Sequence, residues 1–298
     1  MQAFDDLRDA AAFESVIRLY AREVSRGTDL SKLVGITVAA DYAGALARLD
    51  RGTAAARIPT PSEGDVVGIA MTAGVIREGV AMSHIVFNAS YIWPLALPSH
   101  ELFAQALNTF AHECAHVEVN AVFDAAFPDV CSGARAPSLR VATRWDCIMG
   151  CWDDYAVTRV TADIGKDPSE AYEAIFLGAL QDARPTVNSS IEAFRVHRNP
   201  VRMFQKHAAY HLGNSDGFNR QAAQQPRTRL ALEEHAWFVP HFERLAQCCR
   251  TLFEQYGRWG SKEDFEAIGN LLEEVLLESG IRLQDGEAGG LRIHVAGC

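Results

Sequence analysis

Three apolar runs within the first hundred residues are typical of β-strands. Two β-rich runs, Val66 to Val75 and Val80 to Ile92, are joined by the polar turn Arg77-Glu78-Gly79 and are typical of a hairpin. A third β-rich run covers Leu33 to Ala39. Apolar spacings near three and four predict helices over Phe4 to Val24 and Tyr42 to Leu49. The N-terminal part is therefore predicted to hold a small sheet with flanking helices.

Beyond Glu101 the chain changes to the helical period, with no clear strand-like run until Leu291 to Val295. The predicted helices cover Trp145 to Ile164, Ser169 to Leu180, Leu230 to Tyr256 and Lys262 to Leu277. Proline, glycine and polar residues predict loops over Arg51 to Gly64 and Gly213 to Gln225. Together these patterns predict an α+β protein with a small N-terminal β-sheet and a mainly helical C-terminal half.

Length and composition are those of a water-soluble globular protein. With 298 residues, of which 48% are apolar, the chain can form one large domain or two modest ones around a real core. Its longest apolar stretch, Ile85 to Leu97, is interrupted by Asn88, Ser90 and Pro94, so it falls short of a membrane span. No association with a membrane is therefore expected.

Charge and cysteine content narrow the expected partners and compartment. The formal net charge is -10 and neither Lys nor Arg forms a dense run, so nucleic acid is not an expected partner. The acidic start, MQAFDDLRDA, lacks the basic and apolar segments of a secretory signal. The seven cysteines are scattered apart from Cys248 and Cys249, which suits reduced thiols. We therefore expect a cytoplasmic protein.

One motif points to metal chemistry. His112-Glu113-Cys114-Ala115-His116 lies in a predicted helix that Ser99 can cap. The apolar stripe of this helix consists of Leu102, Phe103, Ala106, Leu107, Phe110 and Val117. Spacing of i and i+4 places both imidazoles on one face, about one turn apart, as two ligands of a tetrahedral zinc require. Cys114 points to the other side of the helix, where a packing role is expected.

Glu113 supplies the second part of this chemistry, because it lies beside the expected metal and is free to act on its water. Zinc lowers the pKa of bound water from about 15.7 towards about 7, and a carboxylate can then remove the proton. The motif therefore predicts a zinc-dependent hydrolase. We expect a metallopeptidase with a peptide or protein substrate, in which Glu113 is the general base and then the proton donor to the leaving amine.

A catalytic zinc normally has a third protein ligand, and the best segment for it is Trp145 to Ile164. Within it, the run from Cys151 to Arg159 resembles the downstream helix of gluzincin-like metallopeptidases, in particular small bacterial HExxH proteins with a W-x-E-Y-x-A-x-R pattern. Trp152, Tyr155 and Arg159 match this pattern. Asp154 stands where the family has glutamate, and Val157 replaces the alanine.

The resemblance covers about Val66 to Ile164 and implies that His112, His116 and Asp154 bind zinc. We therefore expect a zincin-like domain over residues 1–165 and a mainly helical region over 166–298 packed on it. Aspartate is one methylene shorter than glutamate. The motif helix and the helix that carries Asp154 must therefore approach more closely, or another residue, such as the neighbouring Asp153, is the third zinc ligand. The resemblance also implies that Val80 to Ile92 binds an extended substrate if it is an edge strand, the alternative being an internal strand.

Cysteine offers a rival metal site. Cys147, Cys151 and Asp154 occur at i, i+4 and i+7 and therefore share a helical face, and thiolates bind zinc well. If this face meets the two histidines, a closed structural site results. The protein would then be a non-catalytic regulatory or interaction protein with a metal-stabilised helix pair.

Supporting residues are less well defined by the sequence. A hydrolase of this type needs a donor to the oxyanion, for which Tyr155, Tyr210 and His211 are candidates beside an ordinary packing role for each. Carboxylates that orient the imidazoles are expected among Asp146, Glu118 and Asp163, which the sequence does not rank.

Overall fold

The computed structural model describes residues 7–53, 59–61, 68–128, 136–189, 200–278 and 280–295. In these ranges the protein is a mixed α+β structure of mostly helices with small sheets, as predicted. The chain divides into two units, a sheet unit (Met1–Gly133 with Asp163–Asp167) and a helical unit (Ala134–Ala162 with Pro168–Cys298). None of the helices described is both long enough and apolar enough to cross a membrane.

The sheet unit contains the predicted hairpin and the motif helix. Its elements are α1 (Leu7–Val24), β1 (Leu33–Ala39), α2 (Tyr42–Ala47), β2 (Ala70–Arg77), β3 (Val80–Asn88), α3 (Ala89–Ile92), a 3-10 turn (Trp93–Ala96) and α4 (Phe103–Ala126). The strand order is β1-β3-β2, with β1 parallel and β2 antiparallel to β3. The strand before the motif helix is thus internal, which confirms the alternative to an edge strand. Parts of the predicted first helix, linker and second strand lie outside the described residues.

The hairpin is closed by a two-residue turn. Arg77 pairs with Val80, so Glu78 and Gly79 form the turn, and both have positive φ, at 52° and 79°. Positive φ at both central residues matches the right-handed twist of the flanking strands. Glycine adopts this conformation without steric cost, whereas Glu78 does so under strain.

Alternate residues of β3 face two different packing layers. Ile85 and Phe87 pack with Phe110 of α4, and the rings of Phe87 and Phe110 stack at 5.4 Å. Val86, between them, packs with Tyr42 and Leu46 of α2. Complete burial of such a side chain contributes about 1.5–3 kcal/mol. The strand therefore fixes the position of the motif helix on one face of the sheet.

The motif helix begins later than predicted. Its first residue is Phe103 and its N-cap position is Leu102, so the prediction of a cap at Ser99 is wrong. The ring Nδ1 of His100 accepts the backbone N–H of Leu102 at 3.1 Å, and the carbonyl oxygen of His100 accepts that of Phe103 at 2.9 Å. These bonds satisfy amide donors that a Ser99 cap would have served.

The helical unit is built around an aromatic cluster. Its elements are α5 (Leu139–Val160), α6 (Ser169–Ser189), α7 (Pro200–Gly217), α8 (Pro226–Glu234), α9 (Val239–Glu254), α10 (Glu266–Glu278), β4 (Ile281–Asp285) and β5 (Leu291–Val295), with 3-10 turns at Ala222–Gln224, Lys262–Phe265 and Glu287–Gly289. Trp152 of α5 is fully buried between Trp259 and Phe265, whose ring centroids both lie 5.5 Å from it. The predicted strand at Leu291 is confirmed, and β4 pairs with it antiparallel.

The helix predicted over Leu230 to Tyr256 is two helices. The chain leaves the first at Glu234 and enters the second at Val239, with Pro240 in the opening turn of α9. Proline has no N–H to donate and is tolerated only in the first turn of a helix, where that donor is not used. The prediction of a single helix is therefore wrong, because Pro240 marks the start of a second one.

The loop predicted from Gly213 starts five residues later, at Phe218, because α7 runs on to Gly217. A Cβ at Gly213 would collide with the carbonyl oxygen of Tyr155 and with Thr158 Oγ1. A Cβ at Gly217 would lie 2.5 Å from the carbonyl oxygen of Arg159. Two glycines at i and i+4 thus allow α7 to approach the backbone of α5, which is why glycine stands here inside a helix.

Candidate metal centre

Helix α4 carries its two motif histidines on the side away from the sheet core. Phe110, Cys114 and Val117 are fully buried in the core of the sheet unit, which confirms the packing role of the cysteine. His112 and His116 are partly exposed, whereas Glu113 is only 7% exposed. The helix therefore keeps both partly exposed imidazoles away from the sheet core, with the mostly buried Glu113 directly after His112 in the chain.

The two imidazoles point their nitrogens at each other. Their Nε2 atoms are 3.2 Å apart, and the rings are inclined by 81° with centroids 4.8 Å apart. Two nitrogens bound at about 2.0 to 2.1 Å to one tetrahedral zinc lie about 3.3 Å from each other. Ligand atoms of His112, Glu113 and His116 all lie within 4.8 Å of one another. The donor set and its spacing therefore fit a divalent metal ion.

Thr72 of β2 holds the motif carboxylate. Its hydroxyl lies 2.7 Å from Glu113 Oε2 and 2.9 Å from the carbonyl oxygen of the same residue, and can donate to either. A buried carboxylate with a hydroxyl donor keeps one orientation, as the proton acceptor of a hydrolase must. Thr72 could not be predicted from the sequence, because the packing of the helix on the sheet decides which helical residue a strand residue contacts. The alternation of side chains along a strand predicts only on which side of the sheet Thr72 lies.

The charge of Glu113 reaches two buried neighbours. Burial, and then the Glu113 carboxylate, raise the pKa of the Tyr42 hydroxyl above its ordinary value. The same two causes raise the pKa of the Cys114 thiol. The Tyr42 hydroxyl makes no hydrogen bond within the described part of the chain. Both groups stay protonated at neutral pH, so neither adds a second negative charge beside Glu113.

Glu118, one of the three carboxylates expected to orient the imidazoles, lies on α4 itself. Its Oε2 accepts the backbone N–H of Asp29 at 2.6 Å, so it ties α4 to the loop before β1. Asp146 and Asp163 are exposed. The role of any of the three in orienting a metal-binding ring stays a prediction.

The predicted third ligand belongs to the helical unit. Asp154 is 2% exposed on α5, and its Oδ2 forms an ion pair of 3.1 Å with Lys206 Nζ of α7. Its neighbour Cys151 is fully buried, where a hydrogen bond with the Cys249 thiol and then burial raise the pKa of its own thiol. A thiol in this state is a weaker metal ligand than a thiolate. The choice among Asp154, Asp153 and Cys151 stays a prediction.

The candidate oxyanion donors also lie in the helical unit. The Tyr155 hydroxyl is buried, donates to Asp216 Oδ2 at 2.7 Å and accepts from Arg159 Nη1 at 2.6 Å. Tyr210 stacks on Tyr172 at 5.1 Å. Each of these side chains has a structural contact that explains its presence, and a catalytic role for Tyr155 or Tyr210 stays a prediction.

Comparison of the chain with protein-family models, with curated proteins and with solved structures finds no match. The resemblance to gluzincin-like metallopeptidases therefore depends on two stretches of sequence, the HExxH motif and the run from Trp152 to Arg159. Of these, the motif has its expected geometry, because His112, Glu113 and His116 form a group close enough to hold a metal ion.

Proposed function

We propose that the protein is a zinc-dependent hydrolase, a metallopeptidase of the gluzincin-like type that acts on a peptide or protein. The observation that carries this proposal is the pair of Nε2 atoms 3.2 Å apart, with the Glu113 carboxylate beside them. Such a pair at i and i+4, with a buried glutamate directly after the first histidine, combines two metal ligands with a proton acceptor.

The residues of the site have different roles in the proposed reaction. His112 and His116 would hold the cation through Nε2, and a bound zinc ion would supply Lewis acidity and lower the pKa of water at the site. Glu113 takes the proton of the attacking water and passes it to the leaving amine. Thr72 bonds Oε2, so we assign Oε1 to proton transfer. General base catalysis of this kind contributes about 10²- to 10⁴-fold in rate.

We assign the third ligand to Asp154, on the resemblance and on its burial. As a ligand, this carboxylate binds the cation in competition with Lys206, its present ion-pair partner. Asp154→Asn tests this assignment by the zinc affinity of the purified protein. A loss of affinity supports Asp154, whereas unchanged affinity with lowered thermal stability would leave Asp154 as the partner of Lys206 and move the ligand to Asp153 or Cys151.

Metal analysis combined with Glu113→Gln tests the proposed function itself. The purified wild-type chain is expected to hold about one zinc per molecule and to cleave members of a quenched-fluorescence peptide library. Glu113→Gln is expected to keep the zinc and lose about 10²-fold or more of the rate. Asp124→Asn, on the same helix two turns beyond His116, is the matched control.

Two results would overturn the proposal. Full activity in Glu113→Gln removes the general base from the mechanism. Bound zinc that raises thermal stability, with no cleavage of any library peptide by the wild type, supports the alternative of a non-catalytic protein with a structural metal.

A further inference from the structure

The helical unit contains a cavity of about 550 Å³ that the proposed hydrolase chemistry does not use. Three arginines from different elements line it: Arg159 at the end of α5, Arg220 after α7, and Arg250 on α9. Among the lining residues, the carboxylates are Asp216 and Glu243. Three guanidinium groups against two carboxylates leave one net positive charge on the wall. We call this site the arginine cavity.

Asp216 fixes two of these arginines in place. Its side chain is 8% exposed, and its two oxygens accept a fork of hydrogen bonds from Arg250, with Nε at 2.9 Å from Oδ2 and Nη2 at 2.8 Å from Oδ1. The Tyr155 hydroxyl bonds the same carboxylate, and Arg159 Nη1 in turn bonds that hydroxyl. Arg159 also lies 4.1 Å over the ring of Phe253. Both guanidinium groups are therefore held by the protein before any ligand arrives.

Arg159 and Arg250 have further N–H donors that these contacts do not use. Arg250 uses Nε and Nη2, and Arg159 uses Nη1, for hydrogen bonds within the described part of the chain. Their other N–H groups, on Arg250 Nη1 and on Arg159 Nε and Nη2, have no acceptor among the described residues. Guanidinium presents its donors in a planar fork that matches the oxygens of a carboxylate or a phosphate. The cavity thus combines a fixed positive charge with unused donors.

The rest of the wall limits the class of ligand. Leu212, Phe242 and Ala246 provide an apolar surface, while side-chain amides of Gln221, Gln224 and Gln247 provide neutral polar groups. Pockets that bind small molecules typically have volumes of about 300–1,000 Å³ and combine apolar walls with a few polar anchors. An inorganic ion would fill little of the space and leave the apolar wall unused.

We propose that the arginine cavity binds a small organic anion, with its carboxylate or phosphate group on the arginines and its carbon skeleton against Leu212 and Phe242. The proposal does not depend on a metal at His112 and His116. Its test therefore uses the full-length chain treated with a chelator, so that an anion cannot act through a bound metal.

Binding of three matched probes by isothermal titration calorimetry tests the proposal: benzoate, phenyl phosphate and the neutral benzamide. The wild type is expected to bind at least one of the two anions and not benzamide, with affinity that falls as salt is raised. Preference for benzoate indicates a carboxylate ligand and preference for phenyl phosphate a phosphate ligand. No binding of either anion, or equal binding of benzamide, overturns the proposal.

Arginine variants place the binding in the cavity. Arg220→Gln changes an exposed residue, so the fold is expected to survive, and loss of one charge-assisted hydrogen bond should weaken anion binding about tenfold. Arg159→Gln should weaken it to a similar extent. Arg229→Gln is the matched control, since Arg229 is exposed on α8 and pairs with Glu233 outside the cavity. Equal anion binding by the wild type and all three variants would contradict the assignment.

Discussion

Histidines in the two units occupy opposite environments. In the sheet unit, His112 and His116 are partly exposed and point their Nε2 atoms at each other across 3.2 Å. In the helical unit, His211 is 1% exposed, and its Nε2 lies 2.9 Å from the hydroxyl of Thr228. That hydroxyl is also 2.8 Å from Glu173 Oε1. The first arrangement brings two ring nitrogens together, whereas in the second a single ring nitrogen is hydrogen-bonded to a hydroxyl group.

This difference separates a ligand from a core residue. Burial lowers the pKa of His211 to about 4, although the nearby Glu173 charge has a smaller, opposite effect. The ring is therefore neutral at pH 7, and its Nε2 has a hydrogen-bond partner within the protein. Two neutral ring nitrogens 3.2 Å apart share either a proton or a cation. A histidine in a sequence fits either reading, and the i, i+4 spacing around a glutamate distinguishes the pair at 112 and 116.

The largest expected effect comes from breaking the pair. His112→Ala or His116→Ala removes one of two neighbouring nitrogens, and zinc affinity is expected to fall by more than about 100-fold, because losing a ligand costs more than losing a group that merely orients one. Competition with a fluorescent zinc chelator measures this. His294→Ala, at an exposed position on β5, is the control and should bind zinc as the wild type does.

Zinc affinity that stays unchanged in both single variants would show that the two imidazoles share a proton and no metal. In that case the pair in the sheet unit would be as structural as His211 in the helical unit, and the comparison would lose its functional meaning.

In the helical unit the largest expected effect is on packing. Gly213→Ala places a methyl group against the backbone of α5, and we expect it to lower the free energy of unfolding by about 3 kcal/mol. Gly178→Ala is the matched control, because that helical glycine has open space around it and the variant should gain about 0.5–1 kcal/mol. Urea unfolding of both variants measures the difference. Equal stability of the two would contradict the close approach of α7 to α5.

Gly213 also shows which part of the fold could not be predicted from the sequence. Hydrophobic periodicity predicted the hairpin and most of the helices, since these patterns are local. Glycine in a polar stretch is equally typical of a loop and of a tight helix contact, and only the partner helix decides between them. The same limit explains Ser99, because the acceptor that replaces its cap is the ring of His100.

A smaller effect is expected on the pH dependence of stability. Unfolded His211 takes up a proton near pH 6.5, whereas the folded, buried ring does so only near pH 4. Between these values the unfolded chain binds more protons, so this residue's contribution to stability falls as the pH falls, by about 2 kcal/mol at pH 5. His211→Gln should remove this part of the acid sensitivity, measured by urea unfolding at pH 7.5 and 5 with a chelator present.

His294→Gln is the control for this measurement, because His294 is exposed on β5. Its stability should follow that of the wild type between the two pH values. If His211→Gln keeps the full acid sensitivity of the wild type, the ring takes up its proton in the folded protein and does not resemble a neutral core histidine.

The candidate site was predictable to the extent that it is local. His112, Glu113 and His116 lie within one helix, so their spacing predicted both rings on one face. The side-chain torsions then bring the two Nε2 atoms to 3.2 Å. Thr72 is 41 residues away from Glu113 in the chain and meets it through sheet packing. Asp154 was assigned by resemblance and not by spacing, because no local period connects it to the motif.

The smallest expected effect tests Thr72, the contact that the sequence did not indicate. Thr72→Val keeps the shape of the side chain but removes the hydroxyl that lies 2.7 Å from Glu113 Oε2. We expect the hydrolytic rate to fall about tenfold with unchanged zinc affinity, because the variant affects the proton acceptor and leaves both histidines intact. Thr72→Ser restores the hydroxyl and should recover most of the rate. If Thr72→Ser is as slow as Thr72→Val, packing by the lost methyl group and not the hydrogen bond positions Glu113, and full activity in Thr72→Val would remove Thr72 from the site.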